Sequence, residues 1–239
     1  MSELKRKFIQ DFIQDNRWHF ITDGLKITLI VTLLSLLMGI AIGIVVAIVR
    51  CAHDQQSGTD LRGPKKIVLG FLNLVCKIYV TIIRGTPALV QLLIMYFVIL
   101  VTARSKVLVA VLTFGINSGA YVAELFRGGI MSVDKGQMEA GRSLGLNYVQ
   151  TMYKIVLPQA FKATLPALVN EMIALLKETS ICGYIGLNEL TRGGDIIRGT
   201  TFDALLPLIG VAIIYLTLVL VISGLSGILE RRLRKSDIR

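Results

Sequence analysis

Charge is scarce in this chain. Asp, Glu, Lys and Arg make up 18% of its 239 residues, against 54% hydrophobic, and the mean hydropathy is +0.67. A disordered chain is excluded, because disorder needs few apolar residues. Collagen-like repeats and a disulfide-dense scaffold are excluded by the same balance. Cysteine is sparse as well. Cys51, Cys76 and Cys182 stand far apart without C-x-x-C spacing, so they read as unpaired small hydrophobes and no metal site is expected. No G-x-x-x-x-G-K-[ST] string occurs, so this chain is not expected to bind ATP through a P-loop. Residues 1–16 are too charged for the apolar core of a cleavable signal.

What the chain does have is long apolar runs and an excess of bases, with a net charge of +10. In a soluble protein that excess would direct attention to nucleic acid. In an apolar chain it is the positive-inside bias of a helical membrane protein, and no nucleic acid partner is expected. Segments 24–49, 107–126, 165–187 and 204–229 read as spanning helices. Segment 88–102 is shorter and opens at Pro87, a residue suited to a first helical turn. Segment 67–83 carries Asn73, Lys77 and Tyr79, and reads either as an interfacial helix or as a sixth span. Counting Lys and Arg places residues 127–162 and the basic tail 230–239 inside in both cases, but does not choose between five and six spans. Residues 1–23 form a separate N-terminal segment. Phe8, Ile9, Phe12 and Ile13 make a helical stripe there, which suits an amphipathic helix in the membrane interface or else a solvated tail.

The connection 134–158 is too long and too patterned for a simple turn. Glu139 to Leu144 suits a helix, Gly145 its end, and Tyr148 to Val156 a second helix closed by Leu157-Pro158. Two short helices joined by a glycine form a knob that can transmit a push from a soluble partner.

Ionisable groups inside spans cost about 2.5–3.5 kcal/mol on insertion scales and tend to face cavities or partners. Asn117, Tyr121 and Glu124 share one helix face at i, i+4 and i+7. On the next span lie Asn170, Glu171 and Glu178. Asn117 and Glu171 fall near mid-depth, where transporters commonly hold substrate. Glu171 therefore reads as a ligand for an ammonium group with Asn117 fixing orientation, or as the structural partner of Lys177 or another basic group. Glu178 reads as a gate or an ion pair, and Glu124 as a pair with Arg127 at i+3. Gly39 and Gly43 form a G-x-x-x-G that allows close helix packing.

Several strings carry a resemblance to a known family. They are Arg84-Gly85-Thr86-Pro87 with Gln91, the run Asn117 to Glu124, Arg127-Gly128-Gly129-Ile130, Glu139-Ala140-Gly141 with Gly145 and Ile155-x-Leu157-Pro158, and Lys177-Glu178-Thr179-Ser180. Taken in order, they resemble the permease subunits of ABC importers of the polar amino acid subfamily, over about residues 24–239. The resemblance implies an all-α integral membrane protein with the type I importer transmembrane fold, about five transmembrane helices and a cytoplasmic coupling helix. It implies that Glu139, Ala140, Gly141, Arg142, Ser143, Leu144 and Gly145 dock a separate ATPase, which binds the ATP and Mg. The other partners implied are an extracytoplasmic solute-binding protein, a second permease chain and the lipid bilayer of a bacterial inner membrane. The candidate substrate set is Asn117, Tyr121, Glu171, Gln91 and Glu178. In place of the family's second alanine stands Gly141, expected to loosen that helix by up to about 1 kcal/mol. An ion-coupled secondary transporter, with Glu171 or Glu178 as the ion site, is the competing reading.

Overall fold

The computed structural model describes residues 3–55 and 64–237. Every regular element among them is helical. A short helix α1 (Glu3–Phe8) leads through a π-turn and a kink at Asp15 into α2 (Trp18–Gln55). Then come α3 (Pro64–Gly85), α4 (Ala88–Ile94) with a π-turn to Ile99, and α5 (Lys106–Ser132). The knob follows as α6 (Lys135–Ser143) and α7 (Tyr148–Thr151), and the chain ends with α8 (Leu157–Glu178), α9 (Leu190–Thr201) and α10 (Leu205–Asp237).

Among the described residues four helices are long and apolar enough to cross a membrane: Trp18–Asp54, Lys66–Gly85, Lys106–Ser132 and Leu205–Arg231. The run 67–83 is thus a full-length helix despite its polar residues, whereas the apolar helix Ala88–Ile99 is shorter. The expected span 165–187 takes a different form. Its α-helix begins at Leu157, includes Glu171, Lys177 and Glu178, and tightens into a 3₁₀ segment over Thr179–Ile185. Left-handed Gly186, at φ 68°, stops it.

A further expectation needs correction. Pro158 does not end a helix. The widened turn Met152–Val156 precedes it and Leu157 keeps helical dihedrals, so the proline falls in the first turn of α8, where its missing N–H costs little. The N-terminal stripe lies within helical residues, Glu3–Phe8 and the π-turn Ile9–Ile13 that continues it. Asp15 and Asn16 both take φ 54°, breaking the segment before α2. Phe12 packs inward against Ile21, Leu190, Ile197 and Val211, while Phe8, Ile9 and Ile13 stay exposed.

The chain divides into two units. The first takes in the described residues of Met1–Leu37, Pro87–Gly115 and Met172–Leu225. Its core is that Phe12 cluster, and α9 is fastened to it by Glu189. This acid is 1% exposed and caps α9, accepting from Thr191 and Arg192 N–H at 2.7 Å each and from the Tyr215 hydroxyl at 3.2 Å. The Thr28 hydroxyl accepts from Leu190 N–H at 3.2 Å. The second unit takes in the described residues of Met38–Thr86, Ile116–Glu171 and Ser226–Arg239. Its core runs from Val46, Val80, Ala120 and Ala123 to Cys51, Ile130, Val156 and Ala160. Close packing of α2 on α5 here requires glycine. A Cβ on Gly43 would meet Val122 at 2.5 Å, and one on Gly39 would meet the Ser118 hydroxyl at 2.7 Å.

Candidate functional site

The knob is built by its caps. Asp134 accepts from Gly136 N–H at 2.6 Å and starts α6. Gly145 takes φ 83°, with Leu146 N–H bonded to the Gly141 carbonyl at 3.2 Å and Gly145 N–H to that of Arg142 at 3.0 Å. Asn147 and Gln150 exchange side-chain and backbone bonds at 2.9 and 3.0 Å, a capping box that starts α7. Met138, Met152 and Leu157 pack against Cys51, Ile130 and Val156, seating the knob on α2 and α5. Gly141 is buried: a Cβ there would meet Thr151 Cγ2 at 2.5 Å and Ile155 Cδ1 at 2.9 Å. Glycine at this position is therefore a packing requirement of the α6–α7 contact. Glu139, Ala140, Arg142, Ser143, Leu144 and Gly145 all lie exposed, and Leu144 is an apolar side chain at 82% exposure. Beside them a cleft of about 640 Å³ is lined by Cys51, Asp54, Met138, Glu139, Arg142 and Tyr148.

The polar face of α5 lies at the middle of a 27-residue helix, about 40 Å long at 1.5 Å per residue. Asn117 is buried at 3% exposure, and Tyr121 is half-buried. Neighbouring Ser118, fully buried, donates its hydroxyl to Glu171 on α8 at 2.8 Å. Among the described residues Glu171 forms no ion pair, so the expected structural alternative with Lys177 has no support in the geometry. Asn117, Tyr121 and Glu171 all belong to the second unit. Gln91 on α4 and Glu178 at the end of α8 belong to the first, where each is half-buried.

One turn further along α5, Glu124 binds Arg127 at 2.9 Å, as its i+3 spacing predicts, and also binds Arg50 of α2. Arg50 is a long-range partner that helical spacing cannot reveal. Ser118 likewise escapes a search for ionisable groups. Arg84 is a third residue that spacing misses. Its guanidinium lies over the Tyr121 ring, 5.3 Å from the centroid.

Residues 68–235 match the binding-protein-dependent transport system inner membrane components. This chain belongs to that family. The match covers the polar face, the knob and α10. The permease is 38% identical over 186 residues to the arginine transport system permease protein ArtQ of Bacillus subtilis (strain 168), covering 72% of this chain and 85% of the relative. It is 40% identical over 166 residues to the glutamine transport system permease protein GlnP of Escherichia coli (strain K12), covering 68% and 76%. Its fold matches the crystal structure of an amino acid ABC transporter with histidines at a TM-score of 0.77 and 38% identity, over 89% of this chain and 94% of that one. The chain is accordingly an ABC importer permease with the type I transmembrane fold, a multi-pass membrane protein, and the ion-coupled alternative falls away.

Proposed function

We propose that this permease carries amino acids inward across a bacterial inner membrane, by alternating access driven by a separate ATPase. The substrate class is supported by the relatives, which are named for arginine and glutamine, and by one observation inside the chain. At mid-length of α5, a carboxylate with no ion-pair partner among the described residues, Glu171, is held at 2.8 Å by a buried hydroxyl beside buried Asn117. A carboxylate kept ready in this way suits an ammonium group, and Asn117 and Tyr121 on the same helix face orient what it binds.

The ATPase docks on Glu139–Ala140–Gly141–Arg142–Ser143–Leu144–Gly145, with exposed Leu144 as its apolar contact. ATP and Mg stay with that partner. A solute-binding protein delivers substrate at the opposite face, and a second permease chain completes the translocation path. ATP acts by binding the two conformational states unequally, through the knob.

The test is Glu171→Gln, which keeps shape and removes charge. Uptake of labelled amino acid by the reconstituted importer is expected to be lost, while the variant still inserts and still copurifies with the ATPase. Uptake at the wild-type rate removes Glu171 from the site.

A further inference from the structure

A second hollow of the second unit, about 530 Å³, lies where the knob joins α8. Its floor is Ala47 of α2 with Phe126 and Ile130 of α5, all buried. Ile44 and Ile48 flank the short alanine on α2, and Leu157 and Phe161 form a further wall on α8. Phe161 stacks on Phe126 with ring centroids 6.1 Å apart. Ile48, Pro158 and Phe161 are exposed, so the hollow is an open groove. Phe126 and Ile130 stand close to the end of α5 at Ser132, about 9 and 3 Å from it at 1.5 Å per residue. The groove therefore runs at the knob-side end of the spanning helices, at the depth of one leaflet.

One end of it differs. Tyr153 and Lys154, in the widened turn Met152–Val156, line the groove on its knob side, and both are exposed. Among the described residues Lys154 forms no ion pair. Tyrosine sits at headgroup level in membrane proteins, and the lysine beside it offers three donors to an anion. An extended peptide laid along the apolar walls would leave its backbone groups without partners. A hydrocarbon chain has no such groups. The occupant that fits both ends is apolar for most of its length and anionic at one tip.

We infer that the groove holds an anionic glycerophospholipid of the cytoplasmic leaflet, with one acyl chain against Ala47 and Phe126 and its phosphate on Lys154. This goes beyond the proposed transport function and rests on it only for the leaflet, which follows from the knob facing the ATPase. Basic hollows between spanning helices on the cytoplasmic side suit anionic headgroups. The lipid packs against the turn that joins the knob to α8, the joint through which a push on the knob reaches that helix.

The test is fluorescence quenching of the full-length permease in phosphatidylcholine vesicles. Trp18 is the one tryptophan of the chain, so Trp18→Phe with Phe161→Trp leaves a single reporter, placed in the groove. The probes are brominated phosphatidylglycerol and brominated phosphatidylcholine with identical acyl chains. The anionic lipid is expected to bind at the reporter about fivefold more strongly, the worth of one base at an anionic surface. Lys154→Gln should abolish that preference and Lys154→Arg should keep it. Lys162→Gln removes the same charge from a residue that lines a different cleft, and should leave the preference nearly unchanged. Equal quenching by the two lipids overturns the assignment, because unselected boundary lipid then fills the groove. Quenching by neither overturns it in favour of a second permease chain covering the groove. A preference that survives Lys154→Gln, or falls equally in Lys162→Gln, overturns it as well, because general surface charge then explains it. If Phe161→Trp does not fold, Tyr153→Trp replaces it as the reporter. Both leaflets carry the same lipids and no transport is measured, so this result and the uptake test of Glu171→Gln succeed or fail separately.

Discussion

Gly141 is where a single residue matters most to the knob. Helix propensity alone favours alanine there by up to about 1 kcal/mol, but the contact with Thr151 at 2.5 Å leaves no room for a methyl. Overpacking of this kind costs about 1–3 kcal/mol. Gly141→Ala should therefore destabilise the knob, read as faster protease cleavage within 134–158. Adding Thr151→Ser, which removes the nearer of the two offending carbons and leaves Ile155 Cδ1, should restore part of the resistance. Asp195 offers a pH-dependent case. The hydrogen bond from Arg198 at 2.6 Å, aided by Arg192, holds its carboxyl below the usual carboxylate range. A carboxyl depressed in the folded state binds fewer protons there. Its stabilisation is complete above the unfolded value of about 3.9 and is lost as pH falls through the lower folded value. Asp195→Asn should flatten the acid limb of thermal stability below about pH 4, and lower stability at neutral pH by less than about 1 kcal/mol, because the pairs are partly exposed.

The α2–α5 seam links packing to the site. Gly39 faces Ser118, and Ser118 holds Glu171. A methyl on residue 39 would sit 2.7 Å from the Ser118 hydroxyl and push it from the carboxylate. Gly39→Ala is expected to reduce amino acid uptake with the knob and its ATPase contact intact. Undiminished uptake would mean that the Ser118–Glu171 bond does not orient the acid. Gly43 serves the same seam without touching the site, since its neighbour is Val122.

For the molecule as a whole, the decisive property under the proposed function is that work enters from outside. Liposomes holding the permease alone should show no amino acid flux under a proton or sodium gradient. Adding the ATPase, the solute-binding protein and ATP should produce uptake, and removing residues 139–145 should abolish it together with ATPase retention. Gradient-driven flux through the lone permease would contradict the proposed mechanism.

Much of this architecture was legible in the residue order, because its signals are local. Apolar run length marks helices that must satisfy their own backbone in lipid, and Gly145 announces the break in the knob. The G-x-x-x-G of Gly39 and Gly43 foretold close packing, and Glu124 with Arg127 followed from helical spacing. The continuation of α8 through Pro158 was not legible, because it depends on the widened turn before it. Nor were Arg50 on Glu124, Ser118 on Glu171, or Arg84 over Tyr121. Each joins residues on different helices, 74, 53 and 37 positions apart. Periodicity states which face of a helix is polar; only packing decides which other helix meets it.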